Sequence, residues 1–136
     1  MSAPTSQLSP RVFGIDGLKV NSIGELYVQL NESLRQNDQW KMAASLDALN
    51  DVLYQLVAQS PAPIIIHWNH HEHSRQALGL DTTVGWLDEK LAQPERFNPQ
   101  VITEQKRALL AGEGKTYFDL VLEVFSIHPS ITLSLQ

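Results

Sequence analysis

The sequence predicts an α/β fold in which helices pack against a small, mostly parallel sheet of about three strands. Three short segments have strand character: Arg11–Ile15, Ile64–Trp68 and Ile131–Leu135. The segments between them repeat apolar residues at the spacing of amphipathic helices. Because helical crossovers connect parallel strands, this alternation favours a parallel sheet with helices on its faces.

The composition indicates a globular chain of one domain and limits its chemistry. The chain has 136 residues, of which 43 % are hydrophobic and 18 % charged, so it can bury a core and is unlike disordered sequences. It has no cysteine, which excludes disulfides and thiolate chemistry. Acidic residues outnumber basic ones by 15 to 10, and the net charge of -5 argues against nucleic-acid binding and favours a basic partner.

The first ten residues are rich in Ser and Pro and are expected to form a flexible tail, which leaves residues 11–136 as one domain. They contain no basic, apolar leader. The densest apolar run, Ile64–Ile66, is far too short to cross a membrane. Together with the lack of cysteine, these features lead us to expect a cytoplasmic protein with no membrane partner.

Six helices are expected between the strands, although residues 80–115 have the weakest pattern. Ser22 and Glu25 form a capping-box signal for the first helix, and Ser60–Pro63 ends the second. Asp16-Gly17 and Gly112–Gly114 are typical of turns. The predicted helices span 22–36, 43–59, 69–78, 82–93, 103–111 and 117–127.

The second helix carries the most distinctive pattern. Its apolar residues fall on one side, whereas Asp47, Asn50, Asp51 and Tyr54 fall within an arc about 100° wide on the other. At the four-residue spacing of Asp47 and Asp51, like charges destabilise a helix by about 0.2–0.5 kcal/mol. The helix itself supplies no basic residue to compensate them. The spacing alone fits a solvated acidic face, a binding face, or a carboxylate pair for acid/base catalysis, which would need a pocket.

A family resemblance bears on this choice. Residues 45–53, Ser-Leu-Asp-Ala-Leu-Asn-Asp-Val-Leu, resemble the Asn-Leu-Asp-Ala-Leu-Trp-Asp-x-Leu signature of the barstar family of ribonuclease inhibitors. Further segments are similar to the family in chain order: Phe13–Gly17, Ser22–Leu26, Ile64–Trp68, Glu72–Gln76, Val121–Phe125 and Ile131–Leu135. The resemblance implies a barstar-like fold, with residues 80–115 as an inserted segment.

The resemblance also implies an intracellular inhibitor, or immunity protein, rather than an enzyme. Barstar-like proteins block the active site of a basic ribonuclease with the second helix and the loop before it. Their two aspartates match Asp47 and Asp51, and the second mimics a substrate phosphate. A carboxylate suits this role because it can accept two hydrogen bonds from one Arg side chain. The implied partner is a basic ribonuclease or toxin nuclease, and no cofactor is implied.

The chain departs from the family pattern in the residues around the two aspartates. Asn50 stands where the family has Trp, and Lys41–Ser45 replaces its Tyr-Tyr-Gly-x-Asn loop. The segment Ser126–Pro129 lacks the acidic residues that the family can place there. These departures favour a cognate toxin nuclease as the partner and leave open a general protein-interaction module on the same fold. The predicted partner-binding residues are Asp47, Asp51, Asn50, Tyr54, Lys41, Ala43 and Trp40.

A histidine cluster supplies an alternative function. Four of the five histidines lie within His67–His73, and imidazoles this close can bind zinc. The spacing matches no established zinc motif, and only His70 and His73 would share a helical face, so these two are the metal candidates. The alternative is a metal-binding enzyme or regulator. Exposed or hydrogen-bonded histidines, or a pH-sensitive contact, would explain the same residues.

Overall fold

The computed structural model describes residues 9–35 and 39–136, and it confirms the predicted α/β fold. A sheet of three parallel strands has the order β1-β2-β3, with β2 in the middle. In chain order the strands and helices of the described residues are β1 (Arg11–Asp16), α1 (Ile23–Leu34), α2 (Leu46–Gln59), β2 (Ile64–Asn69), α3 (His71–Ala77), α4 (Leu80–Leu91), α5 (Pro99–Leu110), α6 (Tyr117–Ser126) and β3 (Ile131–Leu135). A 3-10 turn at Gly17–Lys19 follows β1.

Strand β2 forms the centre of the sheet because both other strands pair with it. Ile66 lies opposite Phe13 of β1 and Leu133 of β3. Every second residue of β2, beginning at Ile64 and ending at Trp68, is buried. Ile64, Ile66 and Trp68 therefore line the fully buried face of the strand, whereas Ile65 and His67 on the opposite face are only partly buried.

Capping side chains set the starts of the first two helices. The Ser22 hydroxyl oxygen accepts a hydrogen bond from the Glu25 amide at 3.1 Å. The Glu25 carboxylate accepts from the Asn21 amide rather than from Ser22, so the predicted capping box is displaced by one residue. Helix α2 begins later than the predicted residue 43, because Ser45 is an extended N-cap whose hydroxyl oxygen accepts from the Ala48 amide.

Residues 80–115 contain two helices, α4 and α5, that pack against each other. Both helices begin before the predicted residues 82 and 103. The side chain of Asn98 caps α5, and Pro99 occupies its first position, where a missing N–H costs no helical hydrogen bond. The predicted turn follows, with Gly112 at a φ of 79°, a conformation that glycine adopts without a Cβ clash.

The hydrophobic interior has two parts that share Trp86. The larger part surrounds the sheet and includes Trp68 and Phe118, whose ring centroids are 5.3 Å apart. The smaller part lies between α4 and α5 around Leu87. Trp86 packs against both, and its ring meets that of Tyr117 edge-on at 4.9 Å. This single tryptophan therefore links the α4–α5 pair to the core around the sheet.

Some predicted boundaries fall outside the described residues. The expected tail, residues 1–10, is described only at residues 9 and 10, which are exposed. Residue 36, the predicted end of the first helix, is also outside the described ranges. The division into one domain over 11–136 with an insertion at 80–115 stays a prediction. Among the helices of the described residues, none is both long and apolar enough to cross a membrane.

Candidate partner-binding face

The outward side of α2 presents Asp47, Asn50, Asp51 and Tyr54, which we call the α2 face. Both aspartates are exposed, 57 % of Tyr54 is exposed, and Asn50 is half-buried. Four other residues of α2 are buried in the core: Leu49, Val52, Leu53 and Leu56. Because successive residues of a helix are about 100° apart, burying this apolar side turns the α2 face toward solvent.

The two carboxylates of the α2 face are available to a partner. Within the described ranges, neither Asp47 nor Asp51 makes a hydrogen bond or an ion pair. Some charge compensation reaches Asp47 from Lys90 of α4. Burial lowers the pKa of the Lys90 ammonium, and the negative charge of Asp47 acts on that pKa in the opposite direction. A helix distant in sequence thus places a cation near enough to interact electrostatically with Asp47, although the two side chains form no ion pair.

Lys90 is held in place by aromatic rings. Its Nζ atom lies 3.8 Å from the centroid of the Trp86 ring and 5.1 Å from that of Phe97. Such cation–π contacts stabilise an ammonium without neutralising its charge. The α4–α5 pair therefore adds a positive group beside an otherwise acidic helix.

His128 was not among the predicted site residues, and it packs against Asn50 and Tyr54 of the α2 face. It lies between α6 and β3, and only 4 % of it is exposed. Its Nε2–H group donates a hydrogen bond of 2.7 Å to Oδ1 of Asn50, a residue 78 positions earlier. Its ring meets the Tyr54 ring edge-on, with centroids 4.6 Å apart. No local pattern could have revealed this contact, because it depends on how α6 packs on α2.

The loop before α2 is tied to α1 and to α2. Asn31 donates to the Met42 carbonyl oxygen and accepts from the Met42 amide, and Met42 is buried. The Arg35 guanidinium stacks on the Trp40 ring at 4.4 Å and donates to Oε1 of Gln55 on α2. Lys41 Nζ donates to the Arg35 carbonyl oxygen at 2.6 Å. Of the predicted loop residues, Trp40, Lys41 and Ala43 are exposed beside α2.

The histidine cluster is distributed among separate contacts. His73 Nε2–H donates to Asn21 at 2.7 Å, and His71 Nδ1–H donates to the Gln136 carbonyl oxygen. His70 has a φ of 54° and precedes α3, so it does not continue the helix that was expected to align it with His73. Among the described residues, no three His, Asp or Glu side chains are grouped so that they could hold a metal ion.

Two grooves formed by the described residues are lined by neither aspartate, although the second includes Lys90. One groove of about 580 Å³ borders β1 and α1, and another of about 410 Å³ lies between α4, α5 and α6. Neither is lined by Asp47 or Asp51. Acid/base catalysis needs the reacting groups in a site that holds substrate, so these two grooves give no support to a catalytic pair on α2.

A three-stranded parallel sheet with an exposed acidic second helix is the arrangement that the resemblance led us to expect. A family model described as Barstar (barnase inhibitor) matches residues 11–102. This range is more than half of the chain, and the chain therefore belongs to the barstar family. The match contains the whole α2 face and ends within α5, whereas α6 and β3 lie beyond it. A comparison with curated proteins gives no match.

Proposed function

We propose that this protein inhibits a basic ribonuclease by covering its active site with the α2 face, and that it catalyses no reaction itself. The observation that carries the proposal is the pair of exposed, unpaired carboxylates on α2 of a barstar-family chain. A ribonuclease binds phosphate through cationic groups. A carboxylate placed among those groups can accept the hydrogen bonds that a phosphate would accept.

The two aspartates have unequal roles in this proposal. Lys90 offsets part of the charge of Asp47, whereas no ion pair offsets Asp51 within the described ranges. We therefore assign Asp51 as the main phosphate mimic and Asp47 as a supporting contact. The proposed contact surface also includes Asn50 and Tyr54 of the same helix. It is completed by the exposed residues of the loop before α2, which are Trp40, Lys41 and Ala43.

The departures from the family pattern favour a specific partner. Asn50 replaces a large aromatic residue, and the loop before α2 keeps its exposed aromatic at Trp40 instead. We infer that the partner is a cognate toxin nuclease, with this protein as its cytoplasmic immunity partner. The net charge of -5 supports a basic partner, because complementary charge speeds diffusional encounter.

Inhibition of RNA cleavage tests the proposal directly. Barnase, other basic ribonucleases and toxin nucleases, including any encoded beside the gene for this protein, are assayed with the wild-type protein and with Asp51→Ala. Truncating one member of a desolvated charge pair costs about 2–5 kcal/mol, so Asp51→Ala is expected to weaken inhibition of a responsive nuclease about 30-fold to several thousand-fold. A wild-type protein that inhibits none of these nucleases would overturn the proposal.

The control removes the same charge elsewhere. Asp81 is exposed in the first turn of α4, at the end opposite Lys90. Asp81→Ala is expected to inhibit nearly as well as the wild type. Equal losses in the two variants would assign the effect to net charge and contradict the role of the α2 face. Co-expression with a responsive nuclease tests the immunity role, because the wild type, but not Asp51→Ala, is expected to protect the host cell.

A further inference from the structure

The corner between α6 and β3 reaches the α2 face through one side chain. His128 is nearly buried, and its imidazole touches two of the four residues of that face. Asn50 accepts its hydrogen bond, and the Tyr54 ring packs against its ring at nearly a right angle. Asn50 and Tyr54 precede and follow Asp51 on α2, the residue to which the proposed function assigns the main role.

Two backbone hydrogen bonds fix the position of His128. Its amide donates to the Phe125 carbonyl oxygen at 3.1 Å, and its own carbonyl oxygen accepts from the Ile131 amide at 3.0 Å. The backbone of His128 is thus tied to the last turn of α6 on one side and to the start of β3 on the other. A buried side chain that extends from a fixed backbone can restrict the rotamers of the residues that it contacts.

Asn50 and Tyr54 have side chains that lose freedom when a partner binds. An Asn side chain can rotate about two bonds, and Tyr54 is more than half exposed. Ordering such side chains on binding lowers affinity, and a surface that is ordered beforehand avoids this loss. Asn50 also stands where the family has a Trp. Here a hydrogen bond from outside the helix holds the residue at that position.

We propose that His128 is a positioning residue, which orders Asn50 and Tyr54 before the nuclease binds. The inference rests on the proposed function, since it concerns the same face. It adds a residue from outside the matched range 11–102 to the determinants of affinity. His128 acts without touching the partner's cationic groups, through its donor to Asn50 and its ring against Tyr54.

Two variants separate the donor from the ring. His128→Gln can place an amide N–H near the former Nε2 position and keep the bond to Asn50. His128→Phe keeps a ring against Tyr54 but leaves the Asn50 oxygen without its donor. We expect His128→Phe to weaken inhibition of a responsive ribonuclease about 2- to 10-fold, the cost of ordering one more side chain on binding. His128→Gln is expected to recover most of that loss.

A second histidine of this chain provides a matched control. His73 also donates from Nε2 to an Asn Oδ1 atom across 2.7 Å, but the pair joins α3 to Asn21 and includes no residue of α2. His73→Phe removes the same kind of hydrogen bond and is expected to leave inhibition unchanged. Thermal melts of all variants establish that each is folded at the assay temperature, so that a fall in affinity is not a loss of folded protein.

The free protein gives an independent readout by NMR. At neutral pH, a spectrum of the imidazole nitrogens of His128 is expected to show the proton on Nε2, and the Asn50 side-chain amide is expected to be ordered in the wild type but mobile in His128→Phe. A proton on Nδ1, or equal inhibition by wild type and His128→Phe, would overturn the inference. Failure of the proposed function has a different signature, a wild-type protein that inhibits no ribonuclease.

Discussion

The phenolic oxygens of Tyr27 and Tyr117 lie 2.7 Å apart in the core and join α1 to α6 across 90 residues of sequence. Burial raises the pKa of both phenols, so both stay protonated and one hydroxyl donates to the other. Their contact sits beside Trp86, whose ring meets Tyr117. A polar pair therefore lies where the core of the sheet meets the α4–α5 pair.

Removing both hydroxyls of this pair should cost less than the two single removals added together. Tyr27→Phe leaves the Tyr117 hydroxyl buried without its partner, which is expected to lower the free energy of unfolding by about 1–3 kcal/mol. The double variant Tyr27→Phe/Tyr117→Phe is expected to lose less than the sum of the single variants, because no orphan hydroxyl remains. Urea denaturation gives the free energy of unfolding of the wild type, the two single variants and the double variant. Strictly additive losses would show that the pair is not coupled.

Two glycines should respond in opposite ways to a methyl group. A Cβ on Gly17 would lie 2.3 Å from the Asn69 carbonyl oxygen and 2.5 Å from that of His70, both backbone atoms that cannot swing away. Gly17→Ala is expected to destabilise the fold by about 1–3 kcal/mol or more, the usual cost of overpacking. A Cβ on Gly85, inside α4, meets nothing within 4 Å.

Gly85→Ala is the control for that substitution and should raise the free energy of unfolding by about 0.5–1 kcal/mol, because alanine favours the helix. Thermal or urea denaturation gives the free energy of unfolding of Gly17→Ala and of Gly85→Ala. A neutral Gly17→Ala would mean that the 3-10 turn does not lie against β2 and α3 as closely as these distances indicate.

Acid should destabilise the protein through His128. Burial lowers the pKa of its imidazole below the ordinary 6.5. At a pH between the native pKa and 6.5, the imidazole is therefore protonated in the unfolded chain but neutral in the native one. The contribution of His128 to stability is therefore complete above pH 6.5 and declines as the pH falls, until the native pKa is passed. The free energy of unfolding, measured against pH, should show this loss in the wild type. The difference between the wild type and His128→Gln isolates the contribution of His128. Parallel curves for the two proteins would contradict the assignment.

Zinc should not stabilise the protein. Three histidines of the 67–73 cluster are hydrogen-bonded to other parts of the chain: His67, His71 and His73. A ligand that binds the native state raises its stability, so a real site would appear as a higher melting temperature with added zinc. We expect the same melting temperature with and without one equivalent of zinc. A rise that His70→Ala abolishes would restore the metal-binding alternative.

The fold could be predicted from the sequence wherever one local pattern decided the outcome. The β-branched run at Ile64–Trp68 and the alternation at Ile131–Leu135 each specify a strand, and the apolar spacing of α2 specifies which side is buried. Helix starts were less accurate, since a side chain such as that of Ser45 decides them within one turn. The starts of α4 and α5 were missed for a similar reason.

The candidate site could be predicted only in part. The spacing of Asp47 and Asp51 and the family signature located the α2 face. Lys90 and His128 could not be found this way, because each reaches that face from an element remote in sequence. His128 lies in the segment Ser126–Pro129, whose one distinctive sequence feature is the lack of the family's acidic residues. Its role follows from packing between α6 and α2, which no spacing rule encodes.

The order of the strands has a consequence for biosynthesis. Translation delivers β1 and β2 before the four helices that precede β3, so the middle strand waits with one edge unpaired while most of the domain is made. Segments far apart in sequence must then meet, which is slow compared with local folding. His128 immediately precedes β3, so the α2 face gains this support only after α3, α4, α5 and α6 have been made. A newly made chain would accordingly become able to bind the proposed nuclease only after most of the described fold is in place.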